Sequence, residues 1–259
     1  MNIEEPPPLS PPLAPPTAPP AATLAPPLAP PAPPTTHARL PVRSFAGWAK
    51  ASQILVGATA AVGLGELVLA SQYLSALSGW EDGTRNFDDL IDAEESFLAS
   101  GPLHLVLLLA ASVVTVTWLY RMAKNTESLR LAPLEHTPKW AVWGWVVPIL
   151  SLFRPYQMIG QTWRASASPT QTYEQLTRLA PWWWGTFLLT LALDQISASA
   201  TSVEWTPDNA RLMLQTARMA SVADAVSAVL FILIVRALTQ RQADTITELE
   251  APQGLNPTN

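Results

Sequence analysis

Long apolar stretches alternate with polar segments along most of the chain. Four of the stretches reach the length of about 20 residues that a helix needs to cross the hydrocarbon core of a bilayer. They cover residues 51–77, 101–120, 181–200 and 217–235. The pattern predicts an all-α, polytopic membrane protein with four transmembrane helices in a membrane domain over residues 45–242.

A fifth apolar stretch, between the second and third predicted helices, is too short to cross a membrane comfortably. It has the sequence WAVWGWVVPILSLFRPYQ over residues 140–157, and Lys139 and Arg154 bound its uncharged core. Pro148 removes a backbone donor and breaks a helix, whereas Pro155 can begin one, since proline suits the first helical turn. We therefore expect two short helices within residues 138–165.

The loop charges indicate how the chain is threaded, because Lys and Arg close to helix ends stay on the cytoplasmic side. If the fifth stretch does not cross, 12 of the 15 basic residues lie inside and 3 outside, whereas crossing gives 9 and 6. The first arrangement is favoured, and it predicts a multi-pass protein of the cell membrane with both termini in the cytoplasm. The short helices then either re-enter the cytoplasmic leaflet or lie flat along it, and both alternatives stay open.

Residues 1–44 form a proline-rich tail, in which 15 of the chain's 26 Pro lie between Pro6 and Pro34. Pro-Pro pairs with small spacers favour an extended polyproline II arm without a packed core, with a reach of ~90 Å at ~3.1 Å per residue. We predict a disordered cytoplasmic spacer. The alternative is a ligand for a protein partner with a proline-binding groove, and the lack of basic residues before Arg39 weakens it. Residues 243–259 are predicted to be a second disordered tail.

Composition and missing motifs exclude several classes of protein. Cys is absent, which excludes disulfides, thiolate catalysis and Cys-ligated zinc. A net charge of −5 provides no basic stripe for nucleic acid. The chain also lacks the G-x-S-x-G, H-E-x-x-H and P-loop signatures, so we predict a protein that is not an enzyme and carries no cofactor.

The run from Trp118 to Ser166 combines several uncommon residues at defined spacings. It contains WLYRMAKNTESL and then TPKWAVWGWVVPILSLFRPYQMIGQTWRAS. This run resembles the bacterial membrane-protein family known as domain of unknown function 4328. The positions that match the family pattern are Trp118, Arg121, Asn125, Leu129, Pro138 to Val142, Trp145 to Ile149, Arg154 to Gln157 and Trp163 to Ser166.

The resemblance covers the membrane portion, residues 45–240, and implies a multi-pass membrane protein with a low-complexity N-terminal tail. It implies no activity. One position departs from the family pattern: the family often has an acid shortly before the last Trp, and this chain has Gln161 there. A salt bridge from that position is therefore not expected.

Ionisable residues inside membrane helices are costly, and they point to function for that reason. Glu66, Asp194 and Asp224 lie within the predicted spans, and His104 lies close to the outer end of the second span. At ~1.5 Å per residue the three acids fall in the outer half of the membrane. All four side chains could then line one outward-facing polar cavity that shares protons or binds a cation.

A plainer interpretation accounts for the same acids. Each of them reaches water at the outer interface, or pairs with Arg211 or Arg218 in the outer loop. One His among scattered acids has no spacing that is diagnostic of a metal site, so we predict no bound metal.

A second group of candidates lies on the predicted cytoplasmic side, within the family-like run. Its members are Trp118, Arg121, Asn125, Trp140, Trp145, Pro148, Arg154, Pro155, Tyr156, Gln157, Trp163 and Arg164. Four of them, Arg121, Asn125, Arg154 and Gln157, would either bind lipid phosphate or hold the short helices against the second predicted membrane helix, because Arg serves both tasks through its fork of donors. We favour the structural role, since a broken helix leaves carbonyls that need donors.

Two functions follow from these features. The preferred one is a non-enzymatic membrane scaffold or sensor whose proline-rich arm contacts a partner, because catalytic motifs are absent. The second is a small transporter or an ion or proton pathway that uses the intramembrane acids, since discontinuous helices often frame transport sites. Four helices are few for a monomeric carrier, so the second function predicts a homo-oligomer in the lipid bilayer. An intramembrane enzyme ranks last.

Overall fold

The computed structural model describes residues 42–129, 132–167, 174–201 and 205–250. Within these ranges the chain is helical and contains no strand, which confirms the predicted all-α class. The helices are α1 (Ala46–Glu81), α2 (Phe87–Leu129), α3 (Trp140–Val146), a 3₁₀ turn (Leu150–Leu152), α4 (Arg154–Ala165), α5 (Glu174–Thr201) and α6 (Pro207–Glu250). Most of the predicted proline-rich tail, residues 1–41, lies outside the described residues.

Three helices in the described part of the chain, α1, α2 and α6, are long and apolar enough to cross a membrane. This supports a membrane protein. The predicted span 181–200 lies within α5, whose apolar stretch is diluted by three consecutive Trp and by Asp194 and Gln195. A count of four spanning helices is therefore a proposal, which is taken up below.

The four long helices lie side by side in the order α2, α1, α6, α5. Helix α1 packs against both α2 and α6, and α5 packs against the other side of α6. The outer two helices, α2 and α5, do not pack along each other. A cleft is left between them, with α1 and α6 as its floor.

Buried clusters at the two ends of the bundle show that neighbouring helices run in opposite directions. At one end of the bundle, which we call the acidic end, Tyr73, Leu77, Leu90 and Leu214 form a buried cluster. This cluster joins the end of α1, the start of α2 and the start of α6. At the opposite end, which we call the tryptophan end, a second cluster joins the start of α1, the end of α2, the start of α5 and the second half of α6. Its buried members include Ala49, Trp118, Met122, Trp183, Trp184, Ile234 and Leu238.

The segment from α3 to α4 begins and ends at the tryptophan end. Ala141 of α3 and Met158, Ile159 and Trp163 of α4 belong to the same buried cluster as the end of α2 and the start of α5. Helix α3 ends before Pro148 as predicted, and the chain turns through Ile149, whose φ of 65° is left-handed. The chain then returns to α4, in which Pro155 occupies the first turn.

The close approach of α3 and α4 requires a glycine at one position. A Cβ atom at Gly144 would lie 2.7 Å from the Cβ of Arg154, which is closer than real Cβ atoms come. The missing side chain therefore lets the two short helices pack against each other as a hairpin.

Two predicted tail boundaries need correction. The N-terminal tail was predicted to extend to residue 44, but the backbone of Arg43 is hydrogen bonded to Asn125 and the carbonyl of Ser44 accepts from Arg121. The C-terminal tail was predicted to begin at residue 243, but α6 continues to Glu250 because Thr245 is buried and donates to the Ser166 carbonyl. Packing against the tryptophan end thus extends the folded region on both sides.

Candidate functional site

The cleft between α2 and α5 contains two adjoining cavities. The first, of about 310 Å³, lies toward the acidic end, and we call it the carboxylate chamber. The second, of about 420 Å³, lies toward the tryptophan end, and we call it the aromatic chamber. Four residues line both chambers: Leu108, Phe187, Leu191 and Asp224. The two chambers are therefore neighbouring parts of one space.

The carboxylate chamber is lined by all four ionisable residues that the sequence predicted to lie together. Glu66, His104, Asp194 and Asp224 come from α1, α2, α5 and α6 respectively, so each of the four long helices contributes one. The chamber is thus the point in the bundle where the intramembrane charges converge.

Glu66 and His104 form the best-defined contact in the chamber. The imidazole Nδ1 of His104 lies 2.6 Å from Oε2 of Glu66, and the hydroxyl of Ser100 donates to Oε1 at 3.3 Å. The side chain of His104 is only 25% exposed, and that of Glu66 only 17%. A short contact between a partly buried carboxylate and an imidazole is a charge-assisted hydrogen bond when the imidazole is protonated.

Asp224 approaches the same pair through a gap left by a glycine. A Cβ atom placed on Gly63 would lie 3.6 Å from Cε1 of His104 and 3.7 Å from Oδ2 of Asp224. Asp224 and His104 therefore both contact one small patch of α1, while Asp224 itself is half-buried. Asp194 is exposed, which indicates that the chamber opens beside α5.

Helix α2 is altered where it borders the chamber. Pro102 lies inside this helix and has no N–H to donate to the carbonyl of Leu98 one turn earlier. Leu98, Gly101 and His104 all line the chamber. The wall of α2 therefore combines a missing backbone hydrogen bond with an imidazole, and among the described lining residues no other histidine is present.

Arg211 does not pair with the chamber acids. Its guanidinium contacts Glu81 at the end of α1, and lies 3.6 Å from Asp208 on its own helix. Among the described residues, no ion pair joins Arg218 to Glu66, Asp194 or Asp224. In the described ranges, no three His, Asp or Glu side chains are grouped closely enough to hold a metal ion.

The aromatic chamber was not predicted from the sequence. Its walls include Trp145 of α3, Trp183 and Phe187 of α5, and Phe231 of α6. The ring of Trp145 packs edge-on against Phe187 at a centroid distance of 6.0 Å, so the α3–α4 hairpin reaches the inner limit of the cleft. The one sequence signal for this chamber was Trp145, which belongs to the family-like run.

Asn125 is the centre of a second buried polar group, at the tryptophan end. Its amide accepts from the backbone N–H of Arg43 at 2.8 Å, donates to the Arg43 carbonyl at 3.0 Å, and donates to Gln242 at 3.2 Å. Gln242 in turn donates to the Met122 carbonyl and the Ser166 hydroxyl. We call Asn125, Gln242, Ser166 and Thr245 the amide network.

Other motif residues also make structural contacts. Trp118 is fully buried, and its indole N–H donates to the Thr239 hydroxyl at 3.2 Å. Arg121 donates to the Ser44 carbonyl at 2.9 Å and stacks over Trp48. In the same way the guanidinium of Arg241 covers the ring of the buried Trp163.

The α3–α4 hairpin is held by contacts among its own residues and with the chain just before α3. Arg154 contacts the His136 ring, donates to Gln157 at 2.9 Å, and lies over the ring of Trp140. Arg164 pairs with Glu135 at 3.3 Å. Arg154 is thus engaged in holding the hairpin, whereas the side chain of Arg164 stays 58% exposed.

The side chain of Gln161, where the family pattern often has an acid, makes two hydrogen bonds to the backbone of His136. Its amide oxygen accepts from the His136 N–H at 3.0 Å, and its amide nitrogen donates to the His136 carbonyl at 2.9 Å. An ionised acid can accept but not donate, so it could not make the second bond. The glutamine thus ties the chain before α3 to the buried side of α4.

The twelve motif candidates are therefore mostly packing and hydrogen-bonding residues. Pro148 and Pro155 shape the turn, and Tyr156 packs on Trp184. Trp145 differs from the others because it also lines a cavity. The four chamber residues and the motif residues thus form two separate regions, linked through the aromatic chamber.

Comparison with known proteins found one family. The model of a domain of unknown function, DUF4328, matches residues 82–240. This region contains His104, Asp194 and Asp224 and all twelve motif candidates, whereas Glu66 precedes it. No curated protein and no solved structure matches the chain.

Proposed function

The chain belongs to the DUF4328 family, and since that name carries no activity, we propose from the cleft itself that the protein is a small transporter or ion pathway that moves protons. One observation carries the proposal: Glu66, His104, Asp194 and Asp224 come from four helices and line one cavity. Ionisable groups inside a membrane protein are expensive, and those that face an internal cavity typically serve ion or proton movement.

The chemistry of the chamber suits proton exchange. An imidazole can accept a proton on one ring nitrogen while it donates from the other, and it titrates closer to neutral pH than any other side chain. In the chamber this ring touches Glu66 on one side and the patch of α1 shared with Asp224 on the other. His104 can thus exchange a proton directly with Glu66, while Asp224 lines the same cavity on the far side of Gly63.

For the membrane topology we propose four spanning helices, α1, α2, α5 and α6, with the tryptophan end in the cytoplasm. The distribution of basic residues supports this orientation. The α3–α4 hairpin exposes Val146, Ile149 and Phe153 at its turn, which suits contact with lipid tails. Because Trp145 of this hairpin reaches Phe187 in α5, we favour a re-entrant pair over one lying flat.

Single-cysteine labelling tests the topology, and the absence of Cys means that no background must be removed. We expect Asp88→Cys and Asp208→Cys, both at exposed sites of the acidic end, to react with an impermeant maleimide added outside intact cells. Thr137→Cys and Gln157→Cys should react only after the membrane is opened. Labelling of Gln157→Cys from outside intact cells would contradict the proposed cytoplasmic position of the α3–α4 hairpin.

Proton flux into liposomes tests the activity. The purified full chain is reconstituted with an internal pH-sensitive dye, and a potassium diffusion potential drives proton uptake. We expect uptake that falls to the level of empty liposomes in the triple variant Glu66→Gln, Asp194→Asn, Asp224→Asn. Asp88→Asn is the matched control, because this acid is exposed in the first turn of α2, far from the chamber. Equal uptake by the triple variant and the control would refute the proposal.

The scaffold or sensor with a proline-rich arm remains a prediction. Its arm lies outside the described residues, and no described contact favours it over proton movement. Deletion of residues 1–36 tests it, because a scaffold would lose its co-purifying partners while a proton pathway built from the cleft would keep its flux.

A further inference from the structure

We infer that the cleft binds a lipophilic organic cation, with the charged group at the carboxylates and the apolar body in the aromatic chamber. The inference rests on the proposed function, because it assigns a substrate class to the same cleft. It is carried by the two chambers together: one offers negative charge, the other offers aromatic surface, and they adjoin.

The shared residues make the two chambers one binding space. Asp224 lines both cavities, and Leu108, Phe187 and Leu191 line both as well. A ligand with a charged group at Asp224 would thus place its apolar portion directly against Phe187. An inorganic ion would use only the carboxylate chamber and would leave the aromatic chamber unexplained.

The charge of the lining selects a cation. Three acids and one His line the chambers, and no Lys or Arg does so among the described lining residues. A carboxylate away from bulk water is stabilised by a nearby positive charge. An anionic headgroup would be repelled by the same residues, so the lining disfavours a phospholipid phosphate.

The walls of the aromatic chamber suit the broad apolar body of an organic cation whose charge lies at the adjoining carboxylates. Trp145, Trp183, Phe187 and Phe231 come from three different elements and surround the inner end of the cleft. Aromatic faces attract organic cations through their quadrupole, most strongly where water is excluded. The remaining lining consists of small apolar residues with a few hydroxyls, which adds hydrophobic surface for the ligand body.

The arrangement of the helices provides access from the side. Because α2 and α5 do not pack along each other, the cleft opens between them, and Leu108 and Leu191 at its edges are 47% and 46% exposed. An apolar ligand dissolved in the bilayer could therefore reach the chambers without passing through either end of the bundle.

The experiment uses two probes of the same shape and opposite charge, tetraphenylphosphonium and tetraphenylborate. Binding of each to the purified full chain in a neutral detergent is measured by equilibrium dialysis. We expect the cation to bind in preference to the anion. Neither probe carries an exchangeable proton, so the measurement is independent of proton flux.

Two variants locate the site. Asp224→Asn should weaken binding of the cation by roughly tenfold to a hundredfold, as expected when one partner of a desolvated charge pair is removed. Leu108→Trp should fill the junction of the chambers and abolish binding without changing any charge. Leu109→Trp is the matched control, because Leu109 is also exposed on α2 but lines neither chamber, and it should bind as the unmodified chain does.

Equal binding of both probes, or binding unchanged in Asp224→Asn and Leu108→Trp, would overturn the inference. If the cation fails to bind while proton flux still depends on the carboxylates, the substrate assignment fails and the proposed function stands. If flux is absent but selective binding follows Asp224 and Leu108, the proposed proton movement fails and the site for the cation stands.

Discussion

Two polar regions share helices α2 and α6, and they differ in how their hydrogen bonds are satisfied. The amide network at the tryptophan end is uncharged and fully buried, and Asn125 alone makes three hydrogen bonds within it. The carboxylate chamber is charged and only partly buried, and it borders empty space. One region is closed around its polar groups, and the other leaves them facing a cavity.

The two regions differ in whether their polar groups hold the chain in one arrangement or stay available to a ligand. A buried amide with both donors and its acceptor engaged stabilises one arrangement of the chain. A carboxylate beside a cavity keeps lone pairs available for a proton or a ligand. The two regions should therefore respond in opposite ways to substitution, with stability lost in the first and flux or binding lost in the second.

The largest loss of stability is expected for Asn125→Leu. This change removes three hydrogen bonds and leaves the Gln242 amide and the Arg43 backbone without those partners, which should lower the free energy of unfolding by about 3 kcal/mol. A denaturant titration in mixed micelles, followed by Trp fluorescence, measures it. Thr117→Ala is the control, since its hydroxyl bonds only to Val113 in its own helix. Equal stability of the two variants would remove the distinction between the regions.

A smaller loss is expected for Gln161→Glu, which places the acid of the family pattern in this chain. The carboxylate can keep the bond from the His136 N–H but cannot donate to the His136 carbonyl, and we expect a loss of about 1 to 2 kcal/mol. The same titration measures it, with Gln240→Glu on the exposed side of α6 as the control. A variant as stable as the parent would show that the double bond to His136 contributes nothing.

Much of this architecture could be predicted from the sequence. Helix rise alone gave Glu66, Asp194 and Asp224 similar depths, and the structure does bring them to one cavity with His104. Pro148 marked the break in the short segment for an equally local reason. These features depend on spacing along one helix, which a single sequence contains.

The remaining features depend on which helices are neighbours. Asn125 is hydrogen bonded to Arg43 and Gln242, which are 82 and 117 residues away along the chain. Their spacing in the sequence does not predict these contacts. The aromatic chamber is lined by ordinary apolar residues such as Phe187 and Leu191, which carry no signal of their own. The order α2, α1, α6, α5 had to be known before the cleft could be recognised.

The chamber acids should affect stability much less than the amide network does. We expect Asp224→Asn to change the free energy of unfolding by less than about 1 kcal/mol, because it keeps the shape of the side chain and relieves the burial of a charge near Glu66. The titration is run beside the flux and dialysis assays on the same preparation. A loss of stability as large as that of Asn125→Leu would make Asp224 a structural residue.

The smallest effect is expected at a carboxylate that is hydrogen bonded but exposed. Asp82, between α1 and α2, accepts from the Thr84 hydroxyl at 2.6 Å and from its backbone N–H at 2.9 Å, and these bonds hold the pKa of the Asp82 carboxyl below its usual value. The turn is therefore stabilised above the unfolded-state pKa, and this is lost as the pH falls through the lower folded-state pKa. An NMR titration of Asp82 should show the lowered pKa, while Asp82→Asn unfolds at a slightly lower temperature than the parent at neutral pH. A normal pKa would exclude these bonds.

Helix α6 contributes to both regions and connects them mechanically. Asp224 and Gln242 are 18 residues apart, which is five helical turns, so they lie on the same side of the helix about 27 Å from each other along its axis. A rotation of α6 that moved Asp224 within the cleft would turn Gln242 by the same angle and break its bonds to Met122 and Ser166. The amide network therefore opposes any rotation of this helix about its axis.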